Sequence, residues 1–144
     1  MEISFAELWD NLSRLGAAYL IALPVAWNRE RGNDRNAGLR TFPLVAIACC
    51  GYMIVGMQVI TSTEGEARVL HGLITGMGFI GGGAILKQNS GVTGTATAAS
   101  LWVTGAIGIA VAYSRYEIAV ALSLVAYLTL QFIPFVKDQA NGAD

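Results

Sequence analysis

The sequence predicts an all-α, polytopic bundle of about five transmembrane helices, formed as a single domain over residues 1–144. Apolar residues make up 54% of the chain and charged residues only 13%, whereas a soluble domain carries about 25% charged residues. The apolar runs between the charges are close to the 20 or so residues that a helix needs to cross a bilayer. The 17 glycines also fit a membrane bundle, because glycine lets neighbouring helices approach closely.

Five apolar segments are the candidate spans. In the first, Asp10 stands four residues before Arg14, the favourable order for a helical ion pair. The third opens with Thr63 and Glu66 at capping-box spacing. The predicted spans cover residues 4–27, 42–60, 63–86, 95–113 and 117–136.

The basic residues predict how the bundle is oriented. With five spans, six of the nine lie on one side: Arg29, Arg31, Arg35, Arg40, Lys87 and Lys137. The other three lie on the opposite side: Arg14, Arg68 and Arg115. Because cytoplasmic loops carry the excess of Lys and Arg, we expect the first loop and the C-terminus in the cytoplasm and the N-terminus outside.

The third segment is unusually rich in glycine. Gly72 and Gly76, and Gly78 and Gly82, have the small-xxx-small spacing that lets another helix lie against the backbone. The alternative is an unwound stretch whose free carbonyls line an ion pathway. The candidate packing or permeation glycines are Gly72, Gly76, Gly78, Gly81, Gly82 and Gly83.

The fourth segment carries small residues at every fourth position, which places them on one helix face. This stripe predicts a tight interface with the third segment or with a second copy of the chain, and a homodimer is the favoured oligomer. The stripe consists of Ala96, Ser100, Thr104, Gly108 and Ala112. Thr97 and Trp102 join Ser100, Thr104 and Gly108 as candidate packing or permeation residues.

The sequence offers little for catalysis or metal binding. No Asp or Glu lies well inside a predicted span, although hard cations such as Mg²⁺ normally need carboxylate ligands. His71 is the only histidine and has no evident carboxylate partner. The adjacent Cys49 and Cys50 point in different directions on a helix, which favours buried packing over a disulfide. We therefore expect no enzyme, no metal site, no cofactor and no nucleic-acid partner.

The first loop, residues 28–41, is one of two polar constellations on the predicted cytoplasmic side. It can simply set the topology and contact anionic lipid. Alternatively, Glu30 pairs with one arginine and leaves the others for phosphate-bearing lipid or an acidic partner surface. The candidate contact residues are Arg29, Glu30, Arg31, Arg35, Arg40 and Thr41.

The second constellation is the loop 87–94 leading into Thr95 and Thr97. A helix N-terminus with hydroxyls and free amides can receive an anion, or the carboxylate of Glu30. Ordinary helix capping explains the same residues, so both interpretations stay open.

Four motifs in order resemble the MgtC/SapB family of bacterial membrane proteins. They are Arg29-Glu-Arg31, Ala37-Gly-Leu-Arg-Thr41, Gly76-Met-Gly-Phe-Ile-Gly-Gly-Gly83 and Thr97-Ala-Ala-Ser-Leu-Trp-Val-Thr104. The resemblance covers roughly residues 26–112. Within it, Ala96 and Val103 depart from the polar residue and the cysteine that some members have there.

The resemblance implies a multi-pass protein of the bacterial inner membrane, tied to adaptation to low magnesium, to stress and, in some members, to virulence. It also implies regulation of a membrane ATP synthase or ion transporter. Many relatives have a further cytoplasmic domain after the last helix, and we expect this chain to be a short member without it.

Two hypotheses about function follow. The first is a regulatory or scaffolding subunit that packs its small-residue helices against a partner, such as a membrane ATPase or ion transporter, with the arginine loop as a cytoplasmic contact. The second is a small transporter or channel for an inorganic cation such as Mg²⁺, with glycine carbonyls and hydroxyl groups along its pathway.

Overall fold

The computed structural model describes residues 4–31, 37–88 and 91–141. These residues form five helices and one short β-hairpin, so the predicted all-α class is confirmed. The helices are α1 (Phe5–Arg31), α2 (Thr41–Val59), α3 (Thr63–Gly83), α4 (Thr95–Ala112) and α5 (Tyr116–Asn141), and the hairpin strands are β1 (Leu86–Gln88) and β2 (Gly91–Thr93). Arg35 lies outside the described residues, and so does the side chain of Lys137.

Three helix ends differ from the prediction by more than one residue, and one of them is the end of α5, which lies at Asn141 instead of residue 136. α1 continues to Arg31, so Arg29 and Glu30 belong to a helix rather than to a loop. α3 ends at Gly83 instead of residue 86, and the predicted loop after it contains the antiparallel hairpin. Gly94 explains this change of direction: its backbone has φ 85°, and a side chain there would collide with the carbonyl of Ala84. Glycine adopts such a conformation at little cost.

α4 is the central helix and contacts each of the other four helices. Its small residues let the neighbouring helices approach it closely. Gly108 lies so close to α2 that an added Cβ would overlap the carbonyl oxygen of Ala46 and stand 3.1 Å from Cys49 Cβ. The closest backbone approach of the small-residue stripe is therefore to α2, not to the third segment as predicted.

α3 packs on α4 through fewer residues than predicted. An added Cβ on Gly81 would lie 3.3 Å from the Trp102 ring, and one on Gly105 would lie 3.1 Å from Met77. Gly72 and Gly76, by contrast, face no described atom within 4 Å, and the same is true of Gly82 and Gly83. α3 is helical throughout Thr63–Gly83, so the described chain does not adopt the unwound alternative.

The start of α3 is tied to the end of α4. The predicted capping box at Thr63 is wrong: Ser62 is the N-cap, and its hydroxyl accepts a hydrogen bond from the Gly65 N–H across 3.2 Å. The Glu66 carboxylate instead accepts a hydrogen bond from the Tyr113 hydroxyl. This bond, with burial and the negative charge of Glu66, raises the pKa of Tyr113 to about 12.

Three of the described helices are long and apolar enough to cross a membrane, namely Thr41–Val59, Thr95–Ala112 and Tyr116–Pro134. α1 and α3 have comparable lengths, but charged residues in both and the many glycines of α3 dilute their apolar content. Many large apolar side chains point outward, as expected where lipid replaces water. Five spans and their orientation stay predictions.

Candidate functional site

Arg29 connects the end of α1 to the start of α4. Its Nη2 donates a hydrogen bond to Thr97 Oγ1 across 2.8 Å, and both side chains are buried. Arg29 lies in the last turn of α1, where the helix dipole favours positive charge. A buried guanidinium needs such partners to offset its lost hydration. Two residues that the sequence analysis placed in separate constellations therefore meet in one contact.

Glu30 holds the turn that precedes α2. Its Oε2 accepts a hydrogen bond from the Leu39 N–H across 3.0 Å. The same oxygen lies against Gly38, where any side chain would collide with it. In the described part of the chain, Glu30 thus binds a backbone amide rather than the predicted arginine or the start of α4. A pairing with Arg35 stays a prediction.

Arg14 joins α1 to the other end of α4. Its Nη1 donates a hydrogen bond to the carbonyl oxygen of Ala112 across 2.7 Å. Its Nε lies 2.9 Å from Asp10 Oδ2, which confirms the predicted ion pair. Because the C-terminal carbonyls of a helix attract cations, Arg14 satisfies and stabilises the last turn of α4.

The hydroxyl groups along the bundle are engaged in short-range bonds. Ser100 donates to the carbonyl of Ala96 across 2.6 Å, and Thr104 donates to that of Ser100 across 2.9 Å. On α3, Thr75 donates to the carbonyl of His71 across 2.9 Å. These bonds let Ser100 and Thr104 lie buried in the bundle, and let Thr75 lie on the exposed face of α3, without loss of hydrogen bonding.

The remaining candidate residues lie apart from the Arg29–Thr97 contact. Arg31 stacks on Trp27, with its guanidinium carbon 4.7 Å from the ring centroid. Arg40 and Thr41, at the start of α2, line a groove between α2 and α3 together with Gly72 and Gly76. Among the described residues, no cluster of three or more His, Cys, Asp or Glu side chains is placed to hold a metal ion.

Sequence reasoning missed two parts of this arrangement. Arg14 was assigned only to its pair with Asp10, because a backbone acceptor on a distant helix leaves no trace in the sequence. Gly38 enters the sequence analysis only as part of the motif Ala37-Gly-Leu-Arg-Thr41. One feature of the sequence does indicate the contact of Glu30 with this turn. Glu30 lies a short distance before a glycine-containing turn, and such turns commonly need an acceptor for their free amides.

Comparison with known proteins places these features in context. The sequence pattern of the MgtC family matches residues 15–139. The chain is similar to SrpB of Synechococcus elongatus, with 33% identity over 136 residues, which cover 85% of this chain and 74% of SrpB. It is similar to MgtC of Salmonella typhimurium, with 33% identity over 118 residues, covering 82% of this chain and 50% of MgtC.

A third relative is YhiD of Escherichia coli, which carries the provisional name of magnesium transporter. The identity is 36% over 104 residues, covering 67% of this chain and 48% of YhiD. The matched region thus spans about half the length of MgtC and of YhiD. No solved structure is significantly similar to the chain.

Proposed function

Because this chain belongs to the MgtC family and has helices suited to a membrane, we propose that it regulates membrane ion transport or an ATP synthase. The setting we propose is magnesium homeostasis and stress adaptation in the bacterial inner membrane. In this function the chain binds a partner protein and does not itself carry the ion.

The buried Arg29–Thr97 contact is the observation that supports a regulator. Thr97, Ser100 and Thr104 are the hydroxyls that a pathway along α4 would use. Arg29 donates a hydrogen bond to the first of them across 2.8 Å, and both side chains are buried. The Thr97 oxygen that a cation would coordinate at this end of α4 therefore already accepts a donor from α1. This contact supports a structural role for the hydroxyl rather than a place in an ion pathway.

The partner surface that we propose is the end of the bundle around Arg31. The stacking of Arg31 on Trp27 holds an exposed guanidinium in place, so little rotamer entropy is lost when a partner carboxylate binds it. The hydrogen bond between Glu30 and the Leu39 N–H ties the end of α1 to the turn before α2. A cationic helix end held in this way suits contact with an acidic surface of a membrane ATPase or transporter.

Cross-linking in the native membrane tests the regulatory function. A photo-reactive amino acid replaces Arg31, and a matched probe replaces Arg68, which is exposed near the start of α3. We expect an adduct with an ATP synthase or ion-transporter subunit from position 31 and none from position 68. Adducts with lipid alone from position 31 would contradict the proposal.

The second candidate is a small cation transporter, favoured by the name of YhiD. Liposomes that contain only the purified protein and a Mg²⁺-sensitive dye separate the two. We expect no uptake above that of protein-free liposomes. Selective uptake that Thr104→Val abolishes would overturn the regulatory proposal.

A further inference from the structure

The groove between α2 and α3 combines an apolar interior with one charged end. Its volume is about 780 Å³, and its walls include Leu44, Tyr52 and Phe79. Gly72 and Gly76 form part of its floor, where no described atom lies within 4 Å of an added Cβ. The groove is thus open space between two helices and not a packed contact.

The groove reaches about half-way across a bilayer. Its α2 wall extends from Arg40 to Tyr52, about 18 Å at the helical rise per residue. The hydrocarbon core is about 30 Å thick, so this length is close to that of one leaflet. Beyond it the two helices converge, because Gly56 lies against Val69. A second transmembrane helix would need a groove that crosses the whole hydrocarbon core, whereas a single acyl chain fits a groove as long as one leaflet.

The open end carries the charge that an anionic headgroup requires. Arg40 is exposed there, and the first turn of α2 has no acidic residue and no side-chain cap. The nearby Glu30 carboxylate accepts a hydrogen bond from the Leu39 N–H and forms no described ion pair with Arg40. A phosphate at this place would gain both the guanidinium and the positive end of the α2 dipole.

A second groove, between α3, α4 and α5, provides the contrast. It has about 640 Å³ and also contains one arginine, Arg115. The Nε of that arginine lies 3.4 Å from Glu117 Oε1, so a carboxylate already pairs with it. In the described part of the chain, Arg40 has no such carboxylate partner. Of the two grooves, the α2–α3 groove is thus the one whose arginine forms no ion pair with a described carboxylate.

We infer that this groove binds one anionic phospholipid, with an acyl chain over Gly72 and Gly76 and the headgroup phosphate at Arg40. The site is independent of the partner surface at Arg31 and of whether the protein carries an ion. It gives the protein a direct means to respond to the lipid composition of its membrane.

Native mass spectrometry of the purified chain with equal amounts of phosphatidylglycerol and phosphatidylcholine tests the inference. We expect the wild type to retain one molecule of phosphatidylglycerol in preference to phosphatidylcholine. Arg40→Gln should lower that preference about fivefold, the effect of one basic residue near an anionic headgroup. Arg68→Gln removes an equal charge elsewhere and should leave the preference unchanged.

A second pair of variants tests the acyl-chain position. Gly76→Leu fills the groove and should reduce retention of both lipids. Gly82→Leu places the same side chain in open space outside the groove, so it should retain lipid as the wild type does. Equal retention by these two variants, an unchanged preference in Arg40→Gln, or a second copy of the chain bound in place of lipid would each overturn the inference.

Discussion

The crossing of α2 and α4 at Gly108 gives the sharpest prediction about stability. In Gly108→Ala the added methyl group would overlap the Ala46 carbonyl oxygen, lie 3.0 Å from the Ala46 carbonyl carbon and stand 3.1 Å from Cys49 Cβ. None of these atoms belongs to a flexible side-chain end, so the helices themselves must move apart. Overpacking of this kind costs about 1–3 kcal/mol, and rigid neighbours favour the upper part of that range.

Alanine is also a better helix former than glycine, which returns up to about 1 kcal/mol. We therefore expect Gly108→Ala to lower the free energy of unfolding by about 2 kcal/mol. Gly82→Ala is the matched control, because the same methyl group there meets no described atom within 4 Å. It should leave stability unchanged or raise it by up to about 1 kcal/mol.

Reversible unfolding in mixed micelles by titration with sodium dodecyl sulfate, followed by far-ultraviolet circular dichroism, measures both variants. The expected order of unfolding midpoints is Gly108→Ala below wild type, and wild type at or below Gly82→Ala. If Gly108→Ala unfolds at the same midpoint as Gly82→Ala, then α2 and α4 do not approach closely at this residue, and the reasoning is refuted.

Three further predictions concern the polar contacts. Thr97→Val keeps the shape of the side chain but removes a hydroxyl that accepts a hydrogen bond from buried Arg29, so the free energy of unfolding should fall by about 1.5–3 kcal/mol in the same titration. Thr97→Ser keeps the hydroxyl and should unfold as the wild type does. An equal loss of unfolding free energy in Thr97→Val and Thr97→Ser would show that packing, and not the hydrogen bond, is responsible. Gly38→Ala should destabilise by about 1–3 kcal/mol, because its methyl group would displace a hydrogen-bonded carboxylate; a midpoint equal to that of the wild type would contradict this turn geometry. In an ultraviolet titration of tyrosinate, Tyr113 should ionise near pH 12, and Glu66→Gln should return its pKa toward about 10. Because the folded protein favours the neutral phenol, this contact stabilises it below about pH 10 and loses that effect as the pH rises through about 12; identical titration curves for wild type and Glu66→Gln would refute it.

Much of the fold follows from apolar patterning. The five helices begin within one residue of the predicted spans, because each apolar run is bounded by charges or turn residues. The hairpin between α3 and α4 was not predicted, since its three-residue strands are too short to show an alternating pattern. The small-residue stripe on α4 correctly indicated close approach but not the partner. A stripe of small residues can pack against any helix that also has small residues at the contact, and α2 has Ala46 and Cys49 there.

The candidate site was predictable in its residues but not in its connections. Arg29 and Thr97 each stood out as polar groups at the ends of apolar segments. Their hydrogen bond joins positions 68 residues apart and depends on how α1 and α4 pack. The contact of Arg14 with Ala112 spans 98 residues and uses a backbone carbonyl, which is the same in every residue type. Side-chain chemistry alone therefore cannot identify such partners.

The two arginines of α1 fix the axial register of α4. Arg14 and Arg29 are fifteen residues apart, and so are the residues that they bind, Ala112 and Thr97. In a straight helix this separation is about 22 Å on both sides, and the two helices run in opposite directions. Translation or rotation of α4 along α1 would break both hydrogen bonds together. Any conformational change of this bundle should therefore move α1 and α4 as one body.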